Sequence, residues 1–105
     1  MYRNRQYLTV SGVDAWNSLV ALTDDINKLC AERGWTQGTL LTRTFGTFNE
    51  LCFEFDYPDL ATYERELREW MADPETGALM QRLDSIEREG NGYDELWMEA
   101  EPVTI

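Results

Sequence analysis

Arg5 and Tyr7 are the residues best suited to chemistry in this chain. They stand two apart in a run reading Tyr2-Arg3-Asn4-Arg5-Gln6-Tyr7-Leu8-Thr9-Val10, so on a strand they share one face. A guanidinium under an aromatic ring offers a fixed cation and a fork of donors to a carboxylate, phenolate or enolate. The phenol of Tyr7 could donate to a developing oxyanion. The alternative is plain structure: Arg5 pairs with a local acid such as Glu54 or Glu95, and Tyr7 is core. Glu50, Glu54 and Asp56 form a second constellation on alternate positions of another strand-like run. Alternate strand residues lie about 6.6–6.8 Å apart, too far for neighbouring carboxylates to chelate one ion unaided. A solvated or interface face explains them better, and on an interface Arg43 or Gln6 could serve as their partners.

The chain has no histidine, and that excludes more than any motif adds. Ser-His and Cys-His nucleophilic sites are ruled out, as are His-ligated zinc and proximal-His haem. Gly90-Asn91-Gly92 lacks the third glycine of a phosphate loop and follows no strand. Cys30 and Cys52 show no CxxC spacing and read as packing residues. No metal and no cofactor is expected.

The elements that must position these residues follow from periodicity. Residues 2–10 read as a strand. Ser11 follows as an N-cap, with Asp14 three residues on in a variant capping box. Val13, Trp16, Leu19, Val20, Ile26, Leu29 and Cys30 recur at helical spacing and Gly34 suits the stop, giving a helix over 12–33. Residues 36–45 and 49–57 read as strands joined through Gly46-Thr47-Phe48 into a hairpin. In the second of these Leu51, Phe53, Phe55 and Tyr57 fall on one face and Glu50, Cys52, Glu54 and Asp56 on the other. Pro58 and Asp59 open the next helix, with Leu60, Tyr63, Leu67, Trp70 and Met71 on one stripe. Asp73-Pro74 restarts it as an N-cap and first helical residue, and Leu79, Met80, Leu83 and Ile86 carry the apolar face onward. Asn91-Gly92 marks a turn, and 93–100 a last strand. The order β-α-β-β-α-β predicts an α+β, ferredoxin-like domain: a four-stranded antiparallel sheet with its helices on one face.

A length of 105 residues, 43% hydrophobic, fits one domain spanning 1–105. The net charge is −11, with the acidic excess falling after Arg43. Nucleic acid and anionic membrane surfaces are therefore disfavoured as partners, since both need a basic face. The polar start of the chain lacks the apolar stretch of a signal peptide, and no run approaches a membrane span. A cytoplasmic location with reduced thiols is expected. The first strand mixes apolar and hydrogen-bonding groups on both faces, so pairing of two sheets back to back in a homodimer would cover the face that the helices leave open.

The chain resembles the NIPSNAP-like branch of the dimeric α+β barrel superfamily. The resemblance is carried by Arg5 and Tyr7 before Gly12, by Gly38, and by Gly46 with Asn49-Glu50. It continues through Phe53-Glu54-Phe55-Asp56-Tyr57 with Leu60, Ala72-Asp73-Pro74-Glu75, and Glu95-Leu96. The sequence departs from the family pattern at Phe53, where a histidine is common, and Arg65 only loosely matches an arginine expected early in the second helix. The superfamily includes cofactor-free antibiotic-biosynthesis monooxygenases, haem-degrading monooxygenases and polyketide cyclases. The resemblance implies a ligand site between helices and sheet, lined by Arg5, Tyr7, Phe53 and Phe55 and closed by Trp16, Tyr63 and Trp70. On it rests the expected function: binding by a homodimer of a hydrophobic or aromatic small molecule, acidic ones included. The alternatives are a cofactor-free monooxygenase or cyclase of aromatic polyketide biosynthesis, in which Arg5 and Tyr7 steady a substrate carbanion, and an acidic protein-interaction module.

Overall fold

The alternation of apolar and polar residues from Glu50 to Tyr57 decides which side of the sheet is covered. The computed structural model describes residues 1–43, 49–86 and 92–103. Its elements run β1 (Tyr2–Thr9), α1 (Gly12–Arg33), β2 (Thr39–Thr42), β3 (Glu50–Tyr57), α2 (Leu60–Ala72), α3 (Pro74–Ile86) and β4 (Tyr93–Met98). The strands form one antiparallel sheet in the order β2-β3-β1-β4, the ferredoxin-like arrangement. Leu51, Phe53 and Phe55 of β3 are buried in one core with Leu19, Leu22, Ile26 and Leu29 of α1. The β1–β3 register sets Asn4 opposite Phe55, Gln6 opposite Phe53 and Leu8 opposite Leu51. Directly paired residues share a face, so Asn4, Gln6 and Leu8 point toward the helices. Arg3, Arg5 and Tyr7, paired with Asp56, Glu54 and Cys52, point away from them.

The helix boundaries follow local chemistry. Gly34 closes α1 in the left-handed conformation (φ 73°), where a side chain would be strained. Asp59 caps α2 by accepting from the Thr62 amide at 2.7 Å. Asp73 accepts from the Glu75 amide at 2.9 Å, so Asp73-Pro74 restarts the helix as expected. Ser11 holds the N-cap position of α1, but its side chain makes no capping bond, so the capping-box expectation fails there.

Three further expectations need correction. Val13, Val20, Leu60, Leu67 and Met71 are exposed, whereas Leu22, Thr23 and Glu66 are buried, so both helix stripes are rotated from those expected. Among the described residues, the strand expected over 36–45 is confined to Thr39–Thr42. Its leading residues bond to helices instead of to the ladder. The Thr36 amide donates to Glu66, and Gly38 exchanges two 2.8 Å bonds with the Asn27 side chain. Gly38 also lies so close to Phe53 and Phe55 that a Cβ would stand 2.3 Å from a Phe53 ring carbon. The last strand ends at Met98, short of residue 100. The Gly46-Thr47-Phe48 loop and Asn91 of the expected turn lie outside the described residues.

Candidate functional site

Between the sheet and the helices lies a cavity of about 150 Å³. Its floor is Phe53, Phe55 and Tyr57 of β3 with Asn4, Gln6 and Leu8 of β1. α2 contributes Tyr63, Glu66, Leu67 and Trp70, spaced i, i+3, i+4, i+7 and hence on one stripe. α1 supplies an apolar wall, Trp35 and Thr36 one end, and Asp94 of the edge strand β4 part of the rim. Two aromatic pairs stand in the lining: Trp35–Trp70 with ring centres 5.9 Å apart, and Tyr57–Tyr63 edge to face at 5.2 Å. The structure thus brings Phe53, Phe55, Tyr63 and Trp70 together around one space. Trp16 packs against the core beyond this lining, and Arg5 and Tyr7 lie across the sheet from it.

That separation follows from strand parity. Phe53 faces the helices, its β1 partner is Gln6, and Arg5 and Tyr7 on either side of Gln6 must face away. Arg5 donates to Glu54 at 3.0 Å and rests 5.9 Å from the Trp97 ring centre. Hydrogen bonding with Tyr7, chiefly, holds the Arg5 guanidinium above its ordinary pKa. The Tyr7 ring stacks on Tyr93 with centres 4.6 Å apart. Its hydroxyl is raised in pKa first by hydrogen bonding with Glu95, then by burial. Arg5 is thus paired with a local acid, as its structural alternative had it, whereas Tyr7 lies on the outward face and outside the core. Arg43 takes Glu50 on the same face, at 2.8 Å through Nε, while Gln6 faces the other way and bonds Asn4. Arg3 takes Asp56 and also approaches Glu54 at 3.3 Å. A shallower hollow of about 240 Å³ on this face is edged by Arg5, Tyr7, Arg43 and Glu50.

The polar groups of the helix-side cavity escaped the sequence reading. Glu66 is only 6% exposed. Its carboxylate accepts the Thr36 amide at 2.6 Å and the Thr36 hydroxyl at 2.9 Å. Asn4 is buried too, donating to the Glu95 carbonyl and accepting from Gln6, each at 3.1 Å. Cys30 lines the cavity as a thiol, because burial pushes its pKa up to about 11. Asp94 sits on an exposed edge strand, yet burial of its carboxyl raises its pKa. No lysine or arginine lines the cavity among the described residues. The signal that could have found Glu66 was its place between Tyr63 and Trp70 on the apolar stripe of α2.

No protein-family model matches the chain, and no curated protein matches it in sequence. Its fold matches solved structures over nearly its whole length. An uncharacterised NIPSNAP domain protein from Burkholderia xenovorans superposes with a TM-score of 0.75 at 18% identity, covering 95% of each chain. The chain has the fold of NIPSNAP domain proteins. An antibiotic biosynthesis monooxygenase matches with a TM-score of 0.69 at 16% identity, over 97% of this chain and 100% of its own. A variant of SnoaB, a cofactor-independent oxygenase from Streptomyces nogalater, matches at 0.64 and 15% identity, over 97% and 95%. NIPSNAP domain proteins and antibiotic biosynthesis monooxygenases are thus among the structural neighbours that the resemblance in sequence implies, at identities that speak for the fold. Among the described residues, no helix is long and apolar enough to cross a membrane.

Proposed function

We infer that this protein binds a small hydrophobic or aromatic molecule in the cavity between α2 and the sheet, and does so as a homodimer. The observation that carries the reading is the cavity itself. Its walls are aromatic and aliphatic, and a few polar groups converge on it, the usual make-up of a ligand site. A cavity of about 150 Å³ accepts a benzene-sized group, so one ring of the ligand enters and larger substituents leave past the rim. The monooxygenase and cyclase alternatives need a substrate anion steadied by Arg5 and Tyr7. Both groups stand across the sheet from this space, which favours binding over those reactions. The expectation of an acidic ligand rested on Arg5 sharing the cavity and loses its support in the same way.

The outward face of the sheet supports the dimer. It carries Leu41, Tyr93 and Trp97, exposed at 43%, 49% and 52%, among arginines already paired with Glu50, Glu54 and Asp56. A face with rows of both charges can meet its own copy across a two-fold axis. Sedimentation of the purified chain should give a dimer, and a monomer at every concentration would refute that part. Both cysteines are free, which suits a reducing compartment such as the cytoplasm. Calorimetric titration with benzyl alcohol tests the cavity. Saturable binding should vanish in Leu67→Trp, which fills the open side, and binding unchanged by that substitution would place the ligand elsewhere.

A further inference from the structure

We propose that the cavity selects a hydrophobic cation, a single ring or compact apolar group carrying a protonated amine, with Glu66 as its counter-ion. The proposal rests on the ligand-binding reading above and adds the charge of the ligand. Glu66 is the observation from which it starts. The carboxylate lines the cavity, is 6% exposed, and takes no part in the ion pairs of the described residues. Thr36 holds it with one amide proton and one hydroxyl proton. A carboxylate has about four acceptor positions, so capacity is left over. These neutral donors stabilise the charge without cancelling it, and a buried charge that lacks an opposite partner is costly to keep.

The surroundings of Glu66 suit a cation and repel an anion. Tyr63 and Trp70 flank it along α2, and the Tyr57–Tyr63 and Trp35–Trp70 pairs both belong to the cavity wall. Aromatic faces are electronegative and attract ammonium groups, the more so where water is excluded. Asp94 adds a second carboxyl to the lining. Glu69 accepts from the indole of Trp35 at 3.4 Å, placing a further carboxylate at the edge of that ring. The net charge of −11 extends the same preference outward, drawing cations toward the protein. A carboxylate ligand would meet only like charge here. A neutral alcohol could bond to Glu66 but would leave its charge uncancelled.

Benzylamine, benzyl alcohol and benzoate carry the same ring and differ in charge, so calorimetry with these three on the full chain reads the preference directly. The titrations are run in enough salt to screen weak surface binding. Benzylamine, protonated at neutral pH, should bind about tenfold tighter than benzyl alcohol, and benzoate weakest of the three. In Glu66→Gln, which keeps an acceptor for Thr36, the amine should fall to near parity with the alcohol. The melting temperature of this variant should hold or rise. Asp94→Asn should reduce the preference less. Equal or tighter binding of the alcohol by the unaltered protein would overturn the proposal and leave the cavity reading standing, whether or not Glu66→Gln folds. An amine preference that survives in folded Glu66→Gln would overturn the role of Glu66. Failure of both amine and alcohol to bind would remove the cavity reading and the proposal together.

Discussion

The two faces of one sheet treat charge in opposite ways. On the outward face Arg3, Arg5 and Arg43 are matched by Asp56, Glu54 and Glu50, so the arginines of β1 and of the β2 edge are answered within the same layer. On the helix-facing side one carboxylate, Glu66, is buried against neutral donors beside an open space. Alternate residues of the same strands build both. The difference matches the two proposals: a self-satisfied, half-apolar face suits the proposed contact with another copy, and an incompletely answered cavity suits the proposed ligand.

Neighbouring residues of β3 should show the largest contrast. Phe53→Ala removes a ring that is 2% exposed and should lower stability by about 3–5 kcal/mol. Glu54→Ala, one position on and facing outward, removes a carboxylate held between Arg3 and Arg5 but no core packing, and should lower it less. Urea denaturation of both variants checks this, and similar losses would erase the distinction between the faces. Next in size, Arg5→Glu sets like charges against Glu54 at the proposed dimer face and should raise the dimer dissociation constant about a hundredfold. Helix content by circular dichroism should stay intact, and a dimer indifferent to the change would mean that another surface pairs.

The smallest effects should appear in the pH dependence, with opposite signs on the two faces. Arg3 holds the Asp56 carboxyl below the ordinary aspartate range, mainly through their hydrogen bond. A depressed folded pKa means stability present above the unfolded value of about 3.9 and lost as the pH falls toward the folded one. Asp94 is raised by burial, so its share is present below about 3.9 and is lost as the pH rises through its folded value. Asp56→Asn should therefore weaken the fold at neutral pH and flatten its acid limb, whereas Asp94→Asn should strengthen the fold at neutral pH. Melting temperatures between acid and neutral pH give both signs, and a shift in the same direction for the two variants would contradict the assignment.

Much of this was legible in the residues, for identifiable reasons. The β3 alternation, Gly34 and the Asp73-Pro74 restart are local signals, and each lies where periodicity or turn chemistry placed it. The face of β1 was only partly legible: Leu8 and Val10 share a face with Tyr2, Asn4 and Gln6, against Arg3, Arg5, Tyr7 and Thr9 on the other, but the amides of Asn4 and Gln6 mask that apolar signal. Only pairing with β3 fixes which set meets the helices. That one parity decides whether Arg5 and Tyr7 share a space with Phe53 and Phe55. Glu66 was hidden for a related reason: a carboxylate on a helix surrounded by Glu64, Arg65, Arg68 and Glu69 looks like one more surface charge. Its burial depends on Thr36, thirty positions earlier, leaving the sheet to bond it.

A crystal soaked with benzyl alcohol tests the central claim most directly, because the two hollows lie on opposite sides of one sheet. The account predicts ligand density among Phe53, Tyr63 and Trp70, within reach of Glu66. Density instead beside Arg5, Tyr7 and Arg43, with the helix-side cavity empty, would contradict it.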